Sequence, residues 1–160
     1  MSKEQVLSVV FSKKPNVKVR VIDDSEPKEI KDDKKKYPFE LQEALDVTVK
    51  TTIREFTFNI YNGYTWNGAD IPKFFYRVIG SRTSNEFLIA SLIHDYMLEF
   101  KQYMMVDVLK GFITVNEYRR LTSLIFREKI KAQGTSTIKA NIMSWCVDVF
   151  QHYFNKKGWK

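Results

Sequence analysis

Hydrophobic and polar positions follow two periods along this chain, and the switch between them divides it. Residues 17–22, VKVRVI, alternate apolar and charged side chains, which is the period of a half-buried strand. Residues 44–60, ALDVTVKTTIREFTFNI, are rich in Val, Thr, Ile and Phe. Val47, Val49, Ile53, Phe56, Phe58 and Ile60 predict two strands with a break near Lys50–Thr52. The Asn-Gly of YNGY, 61–64, then predicts a tight turn. Between the strand regions lies DDSEPKEIKDDKKK, 23–36, with eleven charged residues of fourteen. It has too little apolar surface to offset the entropy of ordering, so it reads as a mobile loop.

After the turn the period becomes helical. Pro72 and Gly80 suit the two ends of a short helix over IPKFFYRVIG. TSNE, 83–86, is a capping box that opens a helix to about residue 100. That helix is apolar on nearly every side, from Phe87 to Phe100, and so belongs in the centre of a domain. TVNE, 114–117, is a second capping box, for a helix that runs to about 132 and ends before Gly134. The last helix covers TSTIKANIMSWCVDVFQHYF. Its stripe Ile138, Ile142, Trp145, Val149 and Tyr153 falls at helical spacing and is expected to be core. The pattern as a whole predicts an α+β fold: a small antiparallel sheet from the N-terminal third, packed on a C-terminal helical layer with a buried central helix. Residues 1–36 read as an N-terminal strand and charged loop, 37–155 as a single motif-bearing domain, and 156–160 as a basic tail.

Composition narrows the class. At 160 residues one domain can bury a core, and 44% hydrophobic residues argue against disorder. A single cysteine, Cys146, allows no internal disulfide and sits on an apolar stripe, where it reads as an inert thiol. No apolar run reaches the roughly 18 residues that suggest a membrane span. The net charge of +7 is uneven. Residues 37–113 hold seven Lys/Arg against nine Asp/Glu, whereas 114–160 hold nine against three. A basic end attracts nucleic acid, anionic lipid or an acidic protein surface, although a solvated helix face gives the same pattern.

The candidate chemistry lies in GYTWNGADIPKFF, 63–75, and LIHDYMLEF, 92–100. A buried His94–Asp95 pair needs partners, because an unpaired interior carboxylate is costly. Ser91 and Glu99, one turn to either side of Asp95, complete a polar stripe on the central helix. Gly63, Asn67 and Gly68 let the turn bend and present its backbone amides to Asp95, while Asp70 can cap the short helix. On this structural reading the bend satisfies both His94 and Asp95, and that pair ties the bend to the central helix and holds sheet and helices in fixed relation. A catalytic reading brings Asp70, His94 and Asp95 together around a divalent metal and an activated water. The His–x–His…His–Asp…Asp ligand set of HD phosphohydrolases is absent, His152 being the other histidine. The chain also has no Walker loop, paired CxxC or G-x-S-x-G.

Two segments in order, Trp66-Asn67-Gly68-Ala69-Asp70-Ile71-Pro72 and His94-Asp95-Tyr96-Met97, resemble the domain of unknown function 1353, a family of small phage and prophage proteins. The likeness continues through Thr122-Ser123-Leu124-Ile125-Phe126 and Gln133-Gly134, over roughly residues 40–154. Asn67 stands where the family usually has Asp, Asp70 where it has Ser or Thr, and Ser123 where it has Asp. If those family carboxylates held a cation, the site would be weakened here.

The resemblance implies a phage or prophage setting: synthesis in the host cytoplasm and a place in the virion, in its assembly, or on a host factor. The favoured expectation is a protein partner, with no catalysis and no cofactor assumed; an oligomer and a divalent metal stay open beside it. One alternative is a metal-dependent hydrolase of cell wall or phosphoester, using Asp70, His94 and Asp95. Another is nucleic-acid binding by a basic face of Arg119, Arg120, Arg127, Lys129, Lys131 and Lys139, of which Arg120, Arg127 and Lys131 recur at helical spacing.

Overall fold

The computed structural model describes residues 3–68 and 85–153, without the side chains of Asn85, Glu86 and Tyr153. The short helix expected over 71–80, the first residues of the 83–86 capping box and the basic tail lie outside the described residues.

The fold is α+β. Strands β1 (Val6–Phe11), β4 (Leu45–Thr51) and β5 (Glu55–Ile60) form one antiparallel sheet in the order β1-β4-β5. Strands β2 (Val17–Val19), β3 (Phe39–Leu41) and β6 (Thr65–Trp66) form a second, in the order β2-β3-β6. The alternation in 44–60 puts Leu45, Val47, Val49, Phe56, Phe58 and Ile60 on one buried face. Ile53 does not join them: it is exposed in the hairpin turn. There the Thr51 hydroxyl accepts from the Ile53 and Arg54 amides at 3.2 and 3.0 Å. Thr51 also donates to Glu4 at 2.7 Å, which helps hold β1 in register with β4.

Strand β1 was not expected from the pattern, because a bulge between Val6 and Ser8 breaks its alternation. The segment expected as a loop contains helix α1 (Lys28–Lys36). It buries no residue, so hydropathy gives no sign of it. Glu29 in its first turn and Lys34, Lys35 and Lys36 in its last complement the helix dipole. Arg20 ties it to the sheet, donating to Asp33 at 2.9 Å and to the Tyr37 carbonyl at 3.0 Å.

Helix α2 (Asn85–Glu99) is the expected central helix. A helical turn α3 (Lys101–Tyr103) and a π-helical turn, Met104–Val108, follow it. Helix α4 (Val115–Ala132) opens with the predicted box: the Thr114 hydroxyl accepts from the Glu117 amide, and the Glu117 carboxylate accepts from the Thr114 amide at 2.8 Å. It ends before Gly134, whose φ of +95° suits a residue without Cβ. Helix α5 (Thr137–Tyr153) is the last element among the described residues. Helix α4 packs on α2, α5 and β1 together.

Two apolar clusters result. The larger joins the inner faces of the sheets to Leu92, Ile93, Tyr96 and Met97 of α2 and Tyr118, Leu121 and Ile125 of α4. The smaller joins Phe87 and Ala90 of α2, Phe126 and Ile130 of α4, and Ala140, Met143, Cys146 and Val147 of α5. Here the expected core stripe of the last helix is overturned. Ile138 is 75% and Trp145 61% exposed, and Ile142 also faces solvent. Helix α5 has two apolar faces, and the one that carries Ala140, Met143, Cys146 and Val147 packs against α2 and α4. Cys146 is buried, and burial pushes its thiol above its ordinary pKa, which keeps it protonated.

Thr114→Ala should destabilise the domain by about 1 kcal/mol in urea unfolding. The Glu117 carboxyl is held below its usual 4.5 by the Thr114 amide and hydroxyl. Its contribution is therefore complete above that value and lost as pH falls through the lower folded-state pKa. In Glu117→Gln the acid-side loss of stability should be smaller than in the wild type; equal losses would show that this carboxyl is not linked to folding.

Candidate functional site

The bend at 61–66 is built by backbone hydrogen bonds. The Tyr64 amide donates to the Tyr61 carbonyl at 3.3 Å, and the Gly63 amide to the Leu41 carbonyl at 2.7 Å. Gly63 has φ +85°, which an L side chain adopts only with strain. Beyond it, β6 pairs with β3 with Trp66 opposite Phe39. Two residues apart on an extended backbone, Tyr64 and Trp66 point the same way. Their rings stack at 6.3 Å and 8°. Tyr64 also meets Tyr96 of α2 edge-on at 5.2 Å, and Tyr96 stacks on Phe58 of β5 at 5.9 Å.

The polar stripe of α2 receives this bend. The Trp66 indole N–H donates to the Ser91 hydroxyl at 3.2 Å and to the Leu88 carbonyl at 3.3 Å. The Tyr64 hydroxyl donates to Glu99 at 3.0 Å. Burial pushes the Tyr64 phenol far above its ordinary pKa, and the carboxylates of Asp95 and Glu99 add to the shift, so the hydroxyl stays a donor. The bend is thus tied to the central helix through Trp66 and Tyr64, which the expectation, resting on the His94–Asp95 pair, did not name. The tie runs through side chains, since the Gly63 and Tyr64 amides are engaged within the sheet and turn. Asp70 and Pro72 lie outside the described residues, and Asn67 and Gly68 are the last before that gap.

His94 does not share this arrangement. It is 6% exposed, and its ring meets Phe126 of α4 edge-on at 5.8 Å. Its Nδ1 lies 3.6 Å from Asp95 Oδ1, within ion-pair reach but beyond a hydrogen bond. Its Nε2 is buried with no hydrogen-bond partner. The expectation that the bend satisfies both members of the pair therefore fails for the imidazole. Among the described residues, no group of three or more His, Cys, Asp or Glu side chains could hold a metal ion. His152 is exposed on α5, away from this interior.

The six basic candidates do not form one face. An open groove of about 750 Å³ between α4 and α5 is lined by Arg119, Arg120, Arg127, Asn141, Trp145 and His152. Arg119 is paired with Asp148. Arg127 and Lys131 both reach Glu128, at 3.1 and 3.3 Å. Lys129 turns to the other side of α4, over Phe11 of β1, and Lys139 lies over Phe87 at 5.5 Å. The exposed Trp145 was missed as a surface residue because it belongs to the larger of the two apolar faces of α5. The mixture of Asn141, Asp148 and His152 along that face was the signal that could have shown it.

The family model described as "Protein of unknown function (DUF1353)" matches residues 39–147, more than half of the chain. The match begins at β3 and takes in Trp66, His94, Asp95, Arg120 and Trp145. A protein of Sinorhizobium fredii (strain NBRC 101917 / NGR234), described as uncharacterized protein y4jT, is 29% identical over 104 residues. Those residues are 60% of this chain and 27% of that protein, so the chain spans about a quarter of its relative. No solved structure matches.

Trp66→Phe removes the N–H and the five-membered half of the indole. It should lower stability by at least about 1–3 kcal/mol in urea unfolding, the range for a buried hydrogen bond left half-made, with the small cavity adding to it. An unchanged midpoint would mean that the indole bond does not hold the bend to α2.

Proposed function

The chain belongs to the DUF1353 family of proteins of unknown function, and on that premise we propose that it acts by binding a protein partner through the α4–α5 groove rather than by catalysis. The observation that carries this reading is the exposure of Trp145 at 61% and Ile138 at 75% on a helix whose opposite face is already buried. A large aromatic and two isoleucines side by side on an ordered helix are the usual makings of an interface anchor. Arg120 and His152 stand at the same groove. The partner that fits is a protein segment with an apolar anchor flanked by acidic residues. The phage or prophage setting belongs to the same proposal, with a particle component or a host factor as the protein carrying that segment.

Nucleic acid fits this surface less well. Of the three groove arginines, Arg119 and Arg127 already face carboxylates, which leaves few cations to neutralise phosphates. Trp145 offers one flat ring for base stacking, and Ile138 and Ile142 beside it add none. Hydrolysis at His94 has less support still, because a general base must reach an attacking water and this imidazole is packed against Phe126.

The test places a photo-crosslinking amino acid at Asn141 in the groove, and as a control at Lys50 on the exposed side of β4. A discrete protein adduct should form from position 141 and not from position 50, with the crosslinked peptide rich in Asp or Glu. Trp145→Ala should weaken that binding roughly thirty-fold, the effect of losing an anchor worth about 2 kcal/mol. Being exposed, the same change should shift stability by no more than about 0.5 kcal/mol. Adducts of nucleic acid, or equal adducts from both positions, would defeat the proposal.

A further inference from the structure

A second cleft lies on the opposite side of α4. It has a volume of about 770 Å³ and is lined by Phe11, Lys14, Val17, Leu88, Ile89 and Lys129. That is within the size range of small-molecule sites, roughly 300–1,000 Å³. Its walls come from the end of β1, from β2, from α2 and from α4. Phe11, Lys14 and Val17 precede residue 39, where the family model begins to match, so part of the cleft belongs to this chain outside the shared segment.

Lys129 is the unusual group there. Its stem is half-buried, and its ammonium sits 3.9 Å over the Phe11 ring and 3.5 Å from the Val9 carbonyl. Both contacts are favourable, and neither neutralises the charge. None of the described residues lining the cleft is acidic. The nearby Glu43 is engaged by Lys13 at 2.6 Å. Arg20, Lys34, Arg54, Arg119, Arg127 and Lys131 each face a carboxylate, whereas the contacts of Lys129 are an aromatic ring and a backbone carbonyl.

We propose that this cleft binds a small amphipathic carboxylate, with its acid group on Lys129 and its apolar body against Phe11, Val17, Leu88 and Ile89. A half-buried ammonium in a largely apolar cleft selects a negative charge with a hydrocarbon body attached. Lys14 at the same cleft adds a second cation without adding a second fixed position. Burial pushes the Lys129 ammonium below its ordinary pKa. A bound carboxylate relieves that desolvation. Aliphatic and aromatic acids share this chemistry, and the length and width of the cleft decide between them.

The test uses the full chain and isothermal titration with decanoate, phenylbutyrate, decanol and inorganic phosphate. One or both carboxylates should bind, with decanol at least about tenfold weaker and phosphate weaker still, since a charge-assisted bond contributes about 1.5–3 kcal/mol. Lys129→Met should reduce carboxylate affinity by about the same factor and leave decanol unchanged, and Lys129→Arg should restore much of it. Leu88→Ala should weaken the carboxylates and decanol together. Three outcomes overturn the proposal: no heat with either carboxylate at millimolar concentration, equal binding of decanoate and decanol, or no effect of Lys129→Met. Loss of thermal stability in Lys129→Met, with no carboxylate binding in the wild type, would show that Lys129 only clamps the edge of β1.

Discussion

The indole of Trp66 fixes how the two sheets meet the helices. Its strand is only two residues long and could not hold itself in place by backbone pairing alone. The ring is stacked on Tyr64, tilted against Phe39, and anchored through its N–H to Ser91 and Leu88 of the central helix. Tyr64 makes a parallel attachment through Glu99. A turn, two strands and a helix therefore share one aromatic cluster. Buried hydroxyl and indole donors find acceptors there, so the cluster carries little polar cost.

Much else follows from α2 being held on that side. Its other side faces α4, where Tyr118 donates to the Met97 carbonyl at 2.5 Å and His94 meets Phe126. Helix α5 then closes over Phe87, Ala90 and Phe126 with Ala140, Met143, Cys146 and Val147. The face with Ile138, Ile142 and Trp145 is left outside. The same closure produces the groove between α4 and α5. The cleft beside β1 has a different origin: α4 lies along that strand, and Lys129 spans the gap to its carbonyl edge. One helix thus serves as the wall of two separate surfaces.

The helical half was legible from local signals. Residues Thr114 and Glu117 mark the start of α4, Gly134 marks its end, and the all-round apolar run 87–100 marks the buried helix. The β4–β5 hairpin was legible from strict alternation. Strand β1 was not, because its bulge breaks the alternation, and α1 was not, because a helix held only by polar contacts leaves no hydrophobic period. At the site, i, i+4 spacing put Ser91 and Glu99 on the polar stripe of the central helix with Asp95, and the bend was expected to meet Asp95. The donors they receive, Trp66 and Tyr64, were not identified, since which groups of a turn reach a helix depends on how the strands bring it there.

The amino-acid pattern alone was enough for the β4–β5 hairpin, for the start and end of α4, and for the requirement that one helix be central. Those properties depend on neighbours within a few residues, so they can be read locally. Tertiary structure decided which of two apolar faces of α5 is covered, that His94 faces Phe126 while Tyr64 and Trp66 meet Glu99 and Ser91, and that six basic residues divide among separate environments. Periodicity says that a face is apolar, but only the shape of the surface that meets it says whether that face is buried.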